Sequence, residues 1–352
     1  MFFKKRSWKS FAVAGALTLA LAACGSESAG TDGETTYDWR FATEEEPGQV
    51  QYEYAKEFAD LIHEKSDGQI NIDVYGFGEL PGSEVDQVEQ LQDGLLEFAI
   101  VSPGFTGGMV AEGQVFALQF LFPDDQEKTQ EILNTSEALN TQLAGMYEAH
   151  DIKPLAFFTE GAMQWTGNRE LRTPEDFRGF KMRTQESPLI MESYRAYGAD
   201  PSPLSWSELY TSLDRGVVDG QENPIFFIED ASFHEVQDHM TISNHNNYVA
   251  MTTVNPTFYN ELPEDVRALI DETVEEMQPR VFEMQKEMNE SYLDLIKNDT
   301  DNPTEVIELT EEEREAFREL AVPIRDFFRD EVVGDEGREM LELLEQEIAA
   351  HE

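Results

Sequence analysis

Histidines are the residues of this chain that most readily bind a metal ion, and three of them lie close together in the sequence. His234, His239 and His245 are separated by five and six residues. These spacings do not bring the imidazoles to one helical face, where neighbours are three or four residues apart. We therefore predict no metal site.

Catalytic motifs are absent from the sequence. The chain contains no Gly-x-Ser-x-Gly nucleophile elbow, no His-Glu-x-x-His metalloprotease motif and no phosphate-binding P-loop. A secreted hydrolase needs a nucleophile or a metal motif, so the sequence argues against that class. We predict that the protein is not an enzyme, has no catalytic residues and needs no cofactor.

A few side chains have the chemistry to bind a charged ligand. Arg183 offers a planar guanidinium that can hold a carboxylate through two parallel hydrogen bonds. Each candidate also has a plainer explanation. Arg183 can pair with a surface acid, and Glu45 lies in a run of three glutamates typical of a solvated surface. Trp206 and Phe226 can belong to the core, and Asn223 can serve turn formation alone.

Strands and helices alternate along the chain. Residues 37–43 alternate like a strand, and residues 49–65 place apolar side chains on one helical face. A second strand begins at Ile70, Ser83 caps the next helix, and residues 98–101 form a third strand that runs into a glycine-rich segment. This order predicts a parallel sheet, and such sheets bind ligands beyond the C-terminal ends of their strands.

The alternation recurs downstream and ends in helices. The pattern predicts a strand over residues 248–254 that returns to the first sheet, one long amphipathic helix over residues 263–298, and a further helix that begins with a capping box at Thr310. We predict an α/β fold: a two-lobed clamp like that of periplasmic binding proteins, with a long connecting helix. Lobe I is assigned residues 37–160 plus about 249–290, and lobe II residues 161–248 plus about 299–352.

The N-terminus has the layout of a secretory signal peptide. A basic start precedes the apolar residues 11–23, which are fewer than the ~20 that a membrane-spanning helix needs. Residues 21–24, Leu-Ala-Ala-Cys, resemble the lipobox of bacterial lipoproteins, although an ordinary signal peptide with a chance cysteine is the alternative. We predict a signal peptide over residues 1–23, lipid attachment at Cys24 and a flexible tether over residues 24–36.

Acidic residues dominate the composition. Removal of residues 1–23 takes away four basic and no acidic residues, which leaves 21 basic against 72 acidic residues and a formal charge of −51. Such self-repulsion destabilises a compact state in dilute buffer and is screened at ~1 M salt. Acid-rich, lysine-poor surfaces resemble those of secreted proteins from halophiles. Nothing basic is clustered, which argues against a nucleic-acid partner.

Two motifs resemble those of a known family. Residues 179–184, Gly-Phe-Lys-Met-Arg-Thr, and residues 219–224, Asp-Gly-Gln-Glu-Asn-Pro, resemble the solute-binding proteins of TRAP transporters, the DctP family. The resemblance extends from Tyr37 to the C-terminus. It implies a clamp that closes on an organic acid and docks onto two membrane subunits, one small and one large. It also implies an exported protein, either periplasmic or lipid-anchored to the outer face of the cell membrane, whose contact with the membrane is through the anchor alone.

Four further segments look like those of the binding proteins for ectoine and 5-hydroxyectoine: residues 39–45, 76–80, 102–107 and 223–226. Carried over by position, Glu45 would meet the positively charged ring of the ligand, and Arg183 and Asn223 would hold its carboxylate. The residues that would surround the ring are aromatic: Phe105, Trp206, Phe226, Phe227 and Tyr248. Phe227 replaces a tryptophan of the subgroup and Tyr248 a phenylalanine, changes that can give a hydroxylated ligand a partner.

The chemistry of a zwitterion fits these residue types. A planar cation suits the carboxylate, an anion suits the ring charge, and aromatic faces between them add contact area and cation–π attraction. The alternative within the family is a receptor for another small organic acid, a monocarboxylate or a dicarboxylate. Receptors for two anionic groups often carry a second arginine, and here Met163 stands at the corresponding position.

Overall fold

The computed structural model describes residues 36–351. The predicted signal peptide, Cys24 and almost all of the predicted tether lie outside these residues. Among the residues that are described, no helix is both long enough and apolar enough to cross a membrane.

Strands and helices alternate over most of the described chain. The strands are β1 (Tyr37–Ala42), β2 (Ile70–Tyr75), β3 (Phe98–Val101), β4 (Lys153–Ala162), β5 (Gln164–Gly167), β6 (Arg183–Thr184), β7 (Ser202–Pro203), β8 (Gly220–Asn223), β9 (His239–Ile242), β10 (Asn247–Val254) and β11 (Glu305–Glu308). The helices are α1 (Val50–Lys65), α2 (Glu84–Gln92), α3 (Pro103–Thr106), α4 (Gln126–Thr135), α5 (Ala144–Glu148), α6 (Pro188–Ala196), α7 (Trp206–Asp214), α8 (Ile225–Asp230), α9 (Pro256–Glu261), α10 (Glu264–Asn298), α11 (Glu311–Ala321), α12 (Ile324–Phe327) and α13 (Asp335–His351).

Local side-chain chemistry sets several helix starts. The Ser83 hydroxyl accepts a hydrogen bond from the backbone N–H of Asp86 at 3.1 Å, which satisfies one of the free donors at the start of α2. At α11, the Thr310 hydroxyl accepts from the backbone N–H of Glu313, and the Glu313 carboxylate accepts from the backbone N–H of Thr310. Both caps were predicted from the sequence and are confirmed.

The first sheet has the strand order β2-β1-β3-β10-β4. Strands β1, β2 and β3 are parallel, as predicted, but β10 runs antiparallel to both β3 and β4. The sheet is therefore mixed rather than parallel. The physical reason is the chain path: β10 enters from the second sheet after a short connection, so it crosses the first sheet against the direction of the βα units.

The second sheet has the order β11-β9-β5-β8. Strand β5 is antiparallel to both of its neighbours, and β11 is parallel to β9. A small parallel pair, β6 and β7, joins the side of β8 through a bridge between Met182 and Gly220. The C-terminal ends of β6 and β8 thereby come close together.

Three connections join the sheets. Strand β4 of the first sheet continues into β5 of the second through Met163, and β9 continues into β10 through residues 243–246. Helix α10 packs on the first core through residues such as Met277 and Val281, and on a core of the second sheet through Ile296. The predicted two-lobed α/β architecture with a long connecting helix is confirmed.

Aromatic side chains fill the core of each lobe. Phe41, Phe58 and Phe98 pack around the first sheet, and Trp165 and Phe177 pack within the second lobe; all five are fully buried. Burying a large apolar side chain contributes about 1.5–3 kcal/mol. The packing of these cores fixes the positions of the strand ends that face the space between the lobes.

The C-terminal helix α13 packs on the first lobe. Leu341 and Leu344 lie in the same apolar cluster as Leu139 of the first lobe. The Glu347 carboxylate also accepts a hydrogen bond from the backbone N–H of Glu137 at 2.8 Å. This packing differs from the predicted assignment of residues 299–352 to lobe II, because the apolar periodicity of a helix does not identify its partner. The remaining lobe boundaries stay a prediction.

Candidate functional site

A cavity of about 730 Å³ lies between the two lobes. Its walls come from the segments that follow β1, β2 and β3 in the first lobe and from β6, β7 and β8 with their following residues in the second. The cavity is therefore at the carboxyl ends of the strands, where the alternation of strands and helices predicted a binding site. Seven of the eight side chains predicted for the ligand line it: Glu45, Phe105, Arg183, Trp206, Asn223, Phe227 and Tyr248.

Arg183 lies at the second-lobe end of the cavity. Its Nε and Nη2 atoms donate hydrogen bonds to the carbonyl oxygen of Leu204 at 3.1 and 2.9 Å, which fixes the plane of the guanidinium. The side chain is buried, and burial lowers its pKa to about 10, partly offset by the nearby Glu222. Arg183 makes no ion pair with any of residues 36–351, so this end of the cavity has the positive charge that an anionic ligand group needs.

Asn223 lies at the end of β8, close to Arg183. Its Nδ2 atom donates to the side-chain oxygen of Gln221, and Gln221 Nε2 in turn donates to Thr166 Oγ1 at 3.1 Å. These bonds fix the amide and use one of its two N–H groups. The other N–H group has no acceptor among residues 36–351 and can bond a ligand.

Glu45 lies at the first-lobe end of the cavity, at the start of α1. Its Oε2 atom accepts a hydrogen bond from the backbone N–H of Gln51 at 2.7 Å, in the first turn of the helix. Helix N-termini favour a negative charge. Burial nevertheless raises the pKa of Glu45 to about 7. Its Oε1 atom is buried and has no hydrogen-bond partner among the described residues. The side chain is thus prepared to accept one further hydrogen bond.

Glu44 and Glu160 were not predicted as site residues. Glu44 accepts hydrogen bonds from the backbone N–H and the hydroxyl of Ser102 at 2.9 and 2.5 Å, and burial raises its pKa to about 8. Glu160, near the end of β4, accepts from Gln51 Nε2 at 2.8 Å, and burial together with the nearby Glu45 raises its pKa well above the usual value. Glu160 is 115 residues from Glu45, so no local pattern indicates their proximity.

Three aromatic rings form a continuous wall on one side of the cavity. The ring centroid of Phe227 is 5.4 Å from that of Trp206 and 5.8 Å from that of Tyr248, both in edge-to-face geometry. Such pairs hold each ring in a fixed orientation. Phe105, half-buried on α3, lines the cavity from the first lobe. A compact ring can therefore lie between aromatic faces.

Phe226 does not line the cavity, in contrast to its predicted role. It is fully buried in the first core, and its ring centroid is 4.1 Å from that of Phe227. Consecutive residues of a helix point about 100° apart, so only one of the two phenylalanines on α8 can face the cavity. Phe226 packs against the Phe227 ring from the side of the first core.

Charge is distributed unevenly around the cavity. Of the residues that the structure describes, the lining contains one basic residue, Arg183, and seven acidic residues: Glu44, Glu45, Glu46, Glu84, Glu186, Glu208 and Asp230. A ligand with two anionic groups would meet one cation and a surplus of like charge, which costs several kcal/mol. The distribution favours a ligand with one anionic group and one cationic group.

The three histidines considered for a metal site lie apart. The His245 Nε2 atom bonds the Glu222 carboxylate at 2.6 Å, and His234 lies 3.5 Å from Asp299. His239 is close to Glu170 and Glu305, with possible ligand atoms within 4.8 Å of one another, but both glutamates are exposed on the surface. The histidines therefore belong to separate local contacts rather than to one shared site.

Comparison with known families gives one match over most of the chain. The model of the bacterial extracellular solute-binding proteins of family 7, DctP, matches residues 41–331.

Three curated proteins illustrate the range of similar chains. The ectoine-binding periplasmic protein TeaA of Halomonas elongata is 36% identical over 313 residues, 89% of this chain and 90% of TeaA. The ectoine/5-hydroxyectoine-binding periplasmic protein UehA of Ruegeria pomeroyi is 34% identical over 331 residues, 94% of this chain and 96% of UehA. The C4-dicarboxylate-binding periplasmic protein DctP of Rhodobacter capsulatus is 33% identical over 273 residues, 77% of this chain and 80% of its own length.

The fold is likewise similar to a solved structure. The periplasmic ectoine-binding protein of the TeaABC TRAP transporter of Halomonas elongata superimposes with a TM-score of 0.84 at 35% identity, and the match covers 89% of this chain and 99% of that one.

Proposed function

The chain belongs to the DctP family of bacterial extracellular solute-binding proteins, and we propose that it captures ectoine or 5-hydroxyectoine for a TRAP transporter. TRAP solute-binding proteins bind small organic acids and work with membrane subunits, and they are not enzymes, as predicted. The solute is the part that we propose, since similar chains include both ectoine and dicarboxylate receptors.

The observation that carries the proposal is a pair of opposite buried charges at the two ends of one cavity. Arg183 has no ion-pair partner among residues 36–351, and Glu45 has a buried oxygen without a hydrogen-bond donor. Ectoine has a carboxylate on a ring with a delocalised positive charge, and both groups can be paired at once. Because the two charges lie in different lobes, such a ligand favours the closed clamp.

The aromatic wall supports the same ligand. The flat rings of Trp206, Phe227 and Tyr248 offer area and cation–π attraction to a charged ring at a low cost in side-chain entropy. Tyr248 also has a phenolic hydroxyl, which can bond the extra hydroxyl of 5-hydroxyectoine. A dicarboxylate has no positively charged ring, so the aromatic wall offers it no cation–π attraction.

We also propose that Cys24 is the lipid attachment site and that this chain is anchored to the outer face of the membrane. The support is the Leu-Ala-Ala-Cys sequence after an apolar segment, in a family of extracellular proteins. Mass spectrometry of the mature N-terminus tests this proposal. An unmodified N-terminus on protein found only in the soluble fraction would contradict it.

Titration calorimetry with ectoine, 5-hydroxyectoine and succinate tests the solute. We expect tight binding of one or both ectoines, little binding of succinate, and a loss of affinity of about tenfold or more for Glu45→Gln, which replaces a charge-assisted hydrogen bond with a neutral one. Asp60→Asn is the control, because it removes one exposed charge from α1, the helix that follows Glu45. Stronger binding of succinate than of ectoine would overturn the assignment.

A further inference from the structure

Two buried carboxyl groups of the first lobe, one that lines the cavity and one that does not, each have one oxygen without a partner in the described part of the chain. Among the described residues, no donor bonds Glu45 Oε1 or Glu160 Oε2. Their other oxygens are both held by Gln51, whose backbone N–H bonds Glu45 at 2.7 Å and whose side-chain amide bonds Glu160 at 2.8 Å. One residue thus bonds both carboxyl groups, and each carboxyl group acts on the pKa of the other.

Two adjacent carboxylates in a dry site cannot both be ionised at moderate cost. A carboxylic acid, in contrast, has an O–H donor that can bond the neighbouring carboxylate. A proton held by one partner therefore removes the repulsion and satisfies the unpaired oxygen of the other. Leaving a buried acceptor without a donor destabilises the folded state.

The surroundings decide which partner keeps the proton. Glu160 is fully buried and does not line the cavity, whereas Glu45 lines it and accepts a hydrogen bond from the start of a helix, which favours the ionised form. Burial and Glu45 both raise the pKa of Glu160 well above its usual value.

Within residues 36–351, no positive side chain compensates the pair. The charged or titratable groups whose fields reach it are Glu44 in the same loop, Asp230 of α8 and Tyr248 of β10. From α10, Asn289 donates to the backbone carbonyl of Glu160 at 2.9 Å and is uncharged. Each of these groups is acidic or neutral, so a proton is the remaining source of positive charge.

We propose that Glu160 is a neutral carboxylic acid whose O–H donates a hydrogen bond to Glu45 Oε1 and thereby positions Glu45 for the ligand. A carboxylate has more than two acceptor positions, so Glu45 can still accept a hydrogen bond from the ligand. This inference rests on the proposed function for its ligand. Two carboxyl groups then carry one negative charge, which matches the single positive charge of an ectoine ring. Two ionised carboxylates would instead suit a divalent cation, for which oxygen pairs are the preferred ligands.

Two substitutions of Glu160 separate this role from a charged one. Glu160→Gln keeps the shape, the neutrality and an N–H donor, so ectoine affinity should stay within about threefold of wild type. Glu160→Met keeps the volume but offers no donor, and affinity should fall by about tenfold or more. Equal losses in the two variants would show that the ionised form of Glu160 is required and would overturn the proposal.

Infrared spectroscopy of the ligand-free protein tests the proton directly. At a pH of about 9 most of Glu44 is ionised, and a protonated-carboxyl band should remain in wild type and in Asp60→Asn but disappear in Glu160→Gln. A band that is missing from wild type, or unchanged in Glu160→Gln, contradicts a neutral Glu160. Because this measurement uses no ligand, it decides the proposal even if ectoine does not bind and the proposed function fails.

Discussion

Gln49 of the first lobe donates a hydrogen bond from Nε2 to Asp230 Oδ2 of the second lobe at 2.6 Å. The two residues line the same cavity from opposite sides, so the bond closes part of its mouth. A second polar contact between the lobes joins Ser187 Oγ to Gln114 Oε1 at 3.1 Å. These bonds can form only when the lobes are close together.

Loss of the bond between Gln49 and Asp230 should make the closed clamp open faster. An exposed hydrogen bond contributes about 0.5–1.5 kcal/mol, so Gln49→Ala should weaken ectoine binding by about two- to tenfold, mainly through a faster dissociation rate. Asp230→Asn keeps an acceptor oxygen and should have a smaller effect on dissociation. Stopped-flow kinetics measures both variants, and an unchanged dissociation rate in Gln49→Ala would exclude a role for this bond.

Arg183 should be essential for holding the carboxylate of the ligand. Removing one partner of a buried charge pair costs about 2–5 kcal/mol, so Arg183→Ala should weaken binding by roughly thirtyfold to several thousandfold. Arg183→Lys should also lose affinity, because an ammonium cannot reproduce the planar fork. Lys181→Ala, an exposed cation two residues away, is the matched control. Calorimetry that finds near-normal affinity in both Arg183 variants would remove this residue from the site.

The ligand-free protein should lose stability as the pH rises from about 5 to about 9. The pKa values of Glu44 and Glu45 in the folded protein, about 8 and about 7, lie above the ordinary value of 4.5. The folded state therefore binds more protons than the unfolded state over this interval, and the free energy of unfolding falls with pH. Thermal melts in ~1 M salt should show a decrease of a few degrees.

Glu44→Gln supplies the comparison for this pH effect. The amide keeps the shape of Glu44 and can still bond Ser102, but it does not titrate. Its melting temperature should fall less with pH than that of wild type. Parallel curves for the two proteins would mean that Glu44 ionises normally.

Salt should stabilise the folded protein by screening. With 21 basic against 72 acidic residues after removal of residues 1–23, the melting temperature should be markedly higher at ~1 M than at ~10 mM salt. Sodium and potassium chloride should act alike, because screening depends on ionic strength. If the melting temperature stays constant across this range, charge repulsion does not contribute much to the free energy of unfolding.

Much of the fold could be predicted because its signals are local. The periodicity of α1 and α10 and the caps at Ser83 and Thr310 depend on residues a few positions apart. The reversed direction of β10 and the packing of α13 on the first lobe depend on contacts between distant segments, which no local pattern encodes.

The residues of the cavity also divide into those that a local sequence pattern indicates and those that it does not. Arg183 and Asn223 lie in recognisable motifs at strand ends, so the sequence indicates them and the structure brings both to the cavity. The proximity of Glu160 to Glu45 follows only from the order of distant strands in the first sheet. Both Phe226 and Phe227 were predicted to face the ligand, but the rotation of a single short helix lets only Phe227 line the cavity.

Helix α10 connects the two lobes through one continuous element. Its 35 residues span about 50 Å and pack on one lobe through Val281 and on the other through Ile296. Pro279 within it lacks an N–H, so the helix has one hydrogen bond fewer at that point. Because Pro279 lies on the first-lobe side of Val281, any movement of one lobe against the other has to be accommodated by the uninterrupted helical turns between Val281 and Ile296.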